Sequence, residues 1–380
     1  MAKATEKYFL SPQGFHSLLA RLKEQNYNVI GPRIVEGEFV YAPLASAADL
    51  PVGWTDRQEG GVYRLEKRGD DAFFGYGVGQ HSWKQFLFPP NQRVWKSRRR
   101  GDAWDLAIIP ADSPPFAFIG VRACDIQAIE VLDRVFLRGN YVDPTYAARR
   151  SQALVVAVNC TQPGGTCFCA SMGTGPRATF GFDLALTEVL DNGSHYFVAE
   201  TGTPRGAELL AGVAHRLAEQ AEITAADRAM DKAASSMGRQ LDTDGLKELL
   251  YRNYEHPRWD DVASRCLTCG NCTMVCPTCF CHTYQDFFDL NGESAERRRH
   301  MQVCFTLDFS YIHGGSVRSS PLSRYRQWLT HKLATWLDQF GCFGCVGCGR
   351  CITWCPVAID ITEEAAAIRE RDGEKRGSGG

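Results

Sequence analysis

Residues 341–356 read GCFGCVGCGRCITWCP and hold five cysteines in one short stretch. The spacing CxxCxxCxxxCP is formed by Cys345, Cys348, Cys351 and Cys355. Cys342 stands outside this spacing. In bacterial ferredoxins, three close thiolates of such a run hold one [4Fe-4S] cluster, and the fourth, before proline, ligates the other cluster. The stretch therefore predicts half of a two-cluster, ferredoxin-like fold and leaves Cys342 spare.

The other half of this fold is predicted upstream, where the same spacing recurs without change in Cys266, Cys269, Cys272 and Cys276. Exchange of the last cysteine between the two runs predicts two ligand sets. Cluster 1 is assigned Cys266, Cys269, Cys272 and Cys355, and cluster 2 is assigned Cys345, Cys348, Cys351 and Cys276. A zinc ribbon, with two CxxC pairs about fifteen to twenty residues apart, is the alternative that this pattern disfavours. Haem attachment needs CxxCH, whereas residues 279–282 read CFCH.

The amino-terminal half carries four more cysteines. FAFIGV at 116–121 and ALVVAV at 153–158 are buried-strand patterns with helical sequence between them, which predicts a parallel pair with a right-handed crossover. Cys124 and Cys160 follow the carboxyl ends of these strands, where open α/β sheets bind ligands. Cys167 and Cys169 follow in a turn-rich segment. We expect a candidate third site here for an iron–sulfur cluster or zinc, with Asp125 as a substitute ligand.

Composition bounds the remaining interpretations. The chain has 380 residues, sixteen cysteines and a formal net charge of −2. It carries no export signal or membrane-spanning pattern, so we expect a cytoplasmic protein whose cysteines bind metal rather than form disulfides. The basic run RVWKSRRR at 93–100 is expected to be a solvated or docking surface, because the overall charge does not favour nucleic acid. GYGVGQ at 75–80 does not match a dinucleotide fingerprint and is expected to be a turn.

The predicted fold class is α+β. A mixed α/β domain (1–200) is joined by a helical bridge (201–255) to a ferredoxin-like dicluster domain with a long linker between the motifs (256–365), followed by a flexible tail (366–380). Asp191-Asn192-Gly193 predicts a hairpin turn. The remaining cysteines, Cys279, Cys281 and Cys304, are expected to be buried free thiols close to cluster 1.

Several segments resemble a known family: GVRACDIQAIEVLDRVF, NCTQPGGTCFCASMGTGP, CGNCTMVCPTCFC and GCVGCGRCITWCP. They are similar to beta subunits of cytosolic NiFe hydrogenases of the sulfhydrogenase type, in a 4Fe-4S dicluster group that also contains the corresponding subunit of anaerobic sulfite reductase. The resemblance covers most of the chain from about Phe116 onward.

The resemblance implies an electron-transfer protein without a catalytic site of its own. Its implied partners are a flavin subunit that uses NAD(P)H and the small and large subunits of a NiFe hydrogenase, with no nucleic acid and no membrane. An electron-transfer subunit of an anaerobic sulfite or sulfur/polysulfide reductase is the first alternative. A nucleic-acid enzyme with a structural iron–sulfur cluster is the second.

The choice of ligands can be tested by exchanging single cysteines. We expect Cys348→Ser to remove the EPR signal of one cluster from the dithionite-reduced protein, since it removes one of four thiolates. Cys342→Ser is the matched control in the same stretch and should leave the spectrum unchanged. Loss of a cluster signal in the Cys342 variant would show that the wrong four cysteines were assigned.

Overall fold

The computed structural model describes residues 6–110, 114–191 and 193–377. Its strands are β1 (Lys7–Leu10), β2 (Asn28–Val35), β3 (Glu38–Pro43), β4 (Trp54–Glu59), β5 (Val62–Lys67), β6 (Asn91–Arg100), β7 (Ala103–Ile108), β8 (Phe116–Val121), β9 (Leu154–Val158), β10 (Leu184–Asp191), β11 (Ser194–Thr201), β12 (Arg216–Leu217), β13 (His282–Phe288), β14 (Ser294–Met301), β15 (Tyr311–Ile312) and β16 (Gly315–Ser316). Its α-helices are α1 (Pro12–Glu24), α2 (Lys84–Leu87), α3 (Ala123–Phe136), α4 (Pro144–Gln152), α5 (Pro204–Ala211), α6 (Gln220–Ser235), α7 (Leu246–Arg252), α8 (Arg258–Arg265), α9 (Asn271–Met274), α10 (Pro321–Thr330), α11 (Trp336–Phe340), α12 (Arg350–Thr353) and α13 (Ile361–Gly377). Short 3-10 turns span Ala47–Asp49 and Asp308–Ser310, and a π-helical turn spans His331–Thr335.

An eight-stranded mixed sheet forms the amino-terminal part, in the order β12-β1-β11-β10-β9-β8-β2-β3. Its central pairs, β10 with β9, β9 with β8, and β8 with β2, are parallel. Every residue of β8 and β9 is buried, as expected for strands covered on both faces. The predicted parallel pair with α3 and α4 between its strands is therefore confirmed, as is the mixed α/β class of this part.

Local signals in the sequence account for two further features of this sheet. The Ser11 side chain accepts a hydrogen bond from the Gly14 amide at 3.1 Å, which caps α1 at its first turn. β10 and β11 pair antiparallel up to Asp191 and Ser194, so the predicted hairpin is confirmed, although its Asn192 lies outside the described residues. Both features depend on residues near one another in the chain, which is why the sequence reveals them.

A second, four-stranded sheet has the order β13-β14-β6-β7. The charged linker between the two cysteine runs supplies β13 and β14, and β14 pairs with β6, which contains the basic run. The Arg93 side chain meets Glu296 at 2.6 Å across this pairing. This hairpin of the linker extends a sheet that includes strands from the amino-terminal half.

α13 runs through Gly377 and so occupies most of the segment predicted to be a flexible tail (366–380); residues 378–380 lie outside the described part of the chain. The fully buried carboxylate of Glu364 accepts hydrogen bonds from Arg258 Nε at 2.5 Å and Arg265 Nη2 at 2.7 Å. Further along, Asp372 pairs with Arg252 at 2.6 Å. These ion pairs tie α13 to α7 and α8, and the composition of the last residues gave no indication of them.

The carboxy-terminal part has its own core of buried aromatic and aliphatic side chains. Trp259, Tyr325, Trp328 and Ile352 belong to this core, and cysteines of both runs pack against it. The cysteine runs therefore lie on a water-excluding base built from α8, α10 and α12.

Within the described ranges, none of the helices has the length and apolar character needed to span a membrane.

Glu364 provides a test of how α13 is held. We expect Glu364→Ala to destabilise the protein by about 1–3 kcal/mol, because two arginines lose a buried, hydrogen-bonded carboxylate while their partial exposure lets water replace part of it. Denaturant unfolding of the metal-loaded protein measures this loss. The exposed neighbour Glu363→Ala is the matched control and should change stability little. Equal effects of the two variants would mean that the ion pairs do not hold the helix.

Candidate metal centres

The first set of four cysteines surrounds one cavity. Cys266, Cys269, Cys272 and Cys355 line this cavity. Its other walls include Phe305, Tyr325 and Trp328. Burial raises the pKa of Cys272, and nearby thiols, including those of Cys266, Cys355 and Cys269, add to the rise. The structure thus brings the last cysteine of the second run to the first three cysteines of the first run, as cross-ligation requires.

The second set has the reciprocal arrangement. Burial raises the pKa of Cys351, and the nearby thiols of Cys345, Cys348, Cys276 and Cys272 add to the rise. Cys276, from the first run, therefore lies with the last run's first three cysteines. Since Cys272 belongs to the first set and Cys351 also lines the first cavity, the two sets are immediate neighbours.

The two runs have the same backbone conformation as well as the same spacing. The amide of Thr268 donates to Cys266 Sγ at 3.4 Å, and the amide of Gly347 donates to Cys345 Sγ at 3.5 Å. Both donors have positive φ, 52° and 66°. Two residues further on, Gly270 and Gly349, with φ of 78° and 75°, are the N-cap residues of α9 and α12. Each run thus curls around its thiols and directs an amide at the first sulfur, which is the donor pattern that stabilises a bound thiolate.

Two buried lysines stand beside Cys276, and motif spacing gave no sign of either. Lys332 Nζ lies 3.2 Å from Cys276 Sγ and also donates to Thr278 Oγ1 at 2.7 Å. Lys84 Nζ donates to the carbonyl oxygens of Cys276 and Cys279 at 2.8 and 2.9 Å. Burial acts to lower the pKa of Lys332, but nearby Cys276 and Cys279 hold it well above its usual value. A cation is therefore fixed against a sulfur of the second set.

The cysteines of this part that lie outside the two sets have different neighbours. The Cys279 thiol donates a hydrogen bond to Cys276 and, with Lys332, lowers the pKa of Cys276. Cys304 lies near Cys272 of the first set. A hydrogen bond with Cys281 lowers the pKa of Cys304 to about 7.

Three cysteines, Cys279, Cys281 and Cys304, were expected near cluster 1. Cys304 lies beside the first set, whereas Cys279 lies beside Cys276, which is assigned to cluster 2. Cys342 is elsewhere: burial raises its pKa, and nearby Arg134 of α3 opposes the rise.

The amino-terminal cysteines meet in a third place. Cys124, Cys160, Cys167 and Cys169 line one cavity. Cys124 lies in the first turn of α3 and Cys160 follows β9, so the fold brings both to the same edge of the sheet. The Cys167 thiol lies 3.7 Å from the carbonyl oxygen of Cys348, which places this cavity against the second set.

Two ferredoxin-like runs whose cysteines form two adjacent four-thiol sets define a dicluster iron–sulfur protein, and residues 265–359 match the family described as 4Fe-4S dicluster domain. The chain is 31% identical over 291 residues to sulfhydrogenase 2 subunit beta of Pyrococcus furiosus, covering 76% of this chain and 82% of that protein. The chain therefore belongs to the sulfhydrogenase beta-subunit family, which confirms the resemblance seen in the sequence. No solved structure matches the chain.

Lys332 provides a test of the charge beside the second set. We expect Lys332→Met to lower the reduction potential of the cluster assigned to Cys276 by about 60–120 mV, because a hydrogen bond from a charged group contributes about 1.5–3 kcal/mol and the ammonium favours the more negative reduced state. An EPR-monitored redox titration measures the shift. Lys247→Met removes a lysine that pairs with Asp338 at the surface and is the control. A potential unchanged in both variants would contradict a role for Lys332 in setting it.

Proposed function

We propose that this chain is the iron–sulfur electron-transfer component of a cytoplasmic, hydrogenase-type complex. It relays electrons between a flavoprotein subunit that uses NAD(P)H and the small and large subunits of a NiFe hydrogenase. The observation that carries the proposal is the pair of adjacent four-cysteine sites, one with an exposed cysteine, Cys269, and the other with a buried one, Cys348. Membership of the sulfhydrogenase beta-subunit family supports the partners.

The residues assigned to hold the two clusters are those that the sequence predicted. Cys266, Cys269, Cys272 and Cys355 hold cluster 1. Cys345, Cys348, Cys351 and Cys276 hold cluster 2. The fit is chemical as well as spatial, since both sites offer sulfur donors in largely water-excluded surroundings, and thiolates are the usual ligands of a [4Fe-4S] cluster. When bound, such a cluster accepts and releases one electron at a time.

The protein's own contribution is to position and tune these sites. Tyr325 and Trp328 exclude water from the first site, and the Thr268 and Gly347 amides donate to sulfur. Lys332 adds a positive charge at the second site. Burial, hydrogen bonds to sulfur and local charge are the factors by which a protein sets cluster potentials.

The two sites differ in their access to solvent, which suits a relay with two ends. Cys269 is exposed, and its neighbours Leu267 and Met274 are 61% and 50% exposed. Cys348 is 7% exposed. A partner that docks over Leu267 and Met274 would therefore approach the first site closely, whereas the second is reached through the protein.

The relay is tested in the assembled complex. Cys269→Ser should abolish hydrogen evolution from NAD(P)H, while dye-linked NAD(P)H oxidation and dye-linked hydrogen evolution continue at the partner subunits. Cys342→Ser is the control and should keep all three activities. The isolated chain should be reduced by dithionite but should not oxidise NAD(P)H or hydrogen. Full NAD(P)H-linked activity in a complex that lacks this chain would refute the relay.

A further inference from the structure

We propose that Cys124, Cys160, Cys167 and Cys169 hold a third [4Fe-4S] cluster, placed next to the second site of the dicluster part. This inference goes beyond the proposed relay, because occupation of the site by iron and sulfide does not depend on which partners the chain has. The amino-terminal part would then be a cluster-binding part in its own right.

The sheet topology brings the four thiols together from separate segments. β8 and β9 are adjacent and parallel, so Cys124 and Cys160 lie beyond the same edge. The segment from 161 to 176 then turns back, and the Cys160 amide donates to the carbonyl oxygen of Pro176 at 3.1 Å. This contact closes the segment into a loop that carries Cys167 and Cys169 over that edge.

The resulting cavity is enclosed and its side-chain donors are sulfur. Cys124, Cys167 and Cys169 are 7%, 7% and 6% exposed. The remaining walls come from Gly77, Val78, Arg122, Ala123, Pro163 and Pro176. The segment GYGVGQ is therefore a wall of this cavity, where Gly77 and Val78 bring backbone and a small apolar side chain against the thiols.

Asp125 does not take part as a substitute ligand. Its carboxylate accepts hydrogen bonds from Arg350 Nη1 at 2.8 Å and Nη2 at 3.1 Å, and from the Tyr41 hydroxyl at 3.3 Å. Arg350 and Tyr41 are not among the residues that line the cavity, so both oxygens are engaged by groups outside it. The donor set consists of the four cysteines, which suits an iron–sulfur cluster.

The spread of the thiols favours a cluster over a single ion. A tetrahedral zinc draws four sulfurs to about 2.3 Å from one point, whereas a cube holds its thiolates at separate corners. In the part of the chain that the structure describes, no three His, Cys, Asp or Glu side chains are arranged to hold one metal ion. The amino-terminal four share this feature with the eight cysteines of the dicluster sites, and like those of the first set they line a cavity.

A buried cation lies beside the four thiols, whose ionised forms would bring negative charge. The side chain of Arg122 reaches the cavity wall, and the residue is 3% exposed. Its Nη2 donates to the carbonyl oxygens of Phe74 and Tyr76 at 2.7 and 2.8 Å. These acceptors are neutral, and the nearby carboxylates of Asp56 and Glu188 balance part of its charge. A thiolate-bound cluster, which carries net negative charge, would lie beside this cation as a further counter-charge.

The site is joined to the second dicluster site through the backbone. The Phe168 amide donates to the carbonyl oxygen of Gly347 at 2.8 Å, and Thr174 Oγ1 donates to that of Val346 at 2.6 Å. The third site therefore adjoins the second through Cys167 and Cys348, and the first adjoins the second through Cys272 and Cys351. A cluster here would extend the array of two into an array of three.

Metal analysis of the anaerobically purified full chain tests the proposal. We expect about twelve irons and twelve sulfides per chain, against about eight if the dicluster sites alone are filled. The Cys160→Ser/Cys169→Ser double variant should lose about four irons and keep the EPR signals of the dicluster sites. Cys342→Ser is the matched control and should keep about twelve irons.

Two outcomes would overturn the proposal: about eight irons in the unaltered chain, or about one zinc per chain that disappears in the double variant. Retention of about eight irons by the double variant would show that its dicluster part still folds. If that variant fails to fold, the stoichiometry of the unaltered chain and the number of reduced clusters from its EPR spin count still decide between two and three. Neither readout depends on hydrogenase partners, so failure here is distinguishable from failure of the relay.

Discussion

Arg350 and Asp125 form an ion pair from which water is excluded, with the residues 0% and 1% exposed. The guanidinium meets both carboxylate oxygens, and its Nε donates to the carbonyl oxygen of Gly79 at 2.8 Å. Arg350 lies between Cys348 and Cys351, and Asp125 directly follows Cys124. A charge that is buried without its partner costs several kcal/mol. The two cysteine-bearing parts are therefore held in the arrangement that keeps this ion pair together.

Backbone contact reinforces that arrangement. Gly347 has a φ of 66°, and a Cβ at this position would lie 2.7 Å from the backbone of Cys169. The loop of the second run can therefore press against residues 168 and 169 only with glycine there. The ion pair sets the orientation of α12 against α3, and the glycine sets how closely the two cysteine loops approach.

The sequence predicted those parts of the molecule whose signals are local or repeated. FAFIGV and ALVVAV were identifiable as parallel strands because both are uniformly apolar, and the two CxxCxxCxxxCP runs specify their own loops. The pairing of β14 with β6 was missed, because it joins charged strands far apart in the chain and charged residues are not typical of strands. Lys84, Lys332 and Arg122 were missed for a related reason: a buried cation is recognised by what surrounds it, and spacing along the chain does not reveal that.

The two dicluster sites differ in depth, and this difference has a consequence for biogenesis. Metal binding to such sites is coupled to folding. A carrier protein can deliver a cluster to Cys269 after the chain has folded, since that thiol remains exposed. Cys348 is closed beneath the segment that carries Cys167, so its site has to be filled before that segment docks. On this assignment, the site of Cys348 would be filled before that of Cys269, and the amino-terminal half, although synthesised first, would complete its packing last.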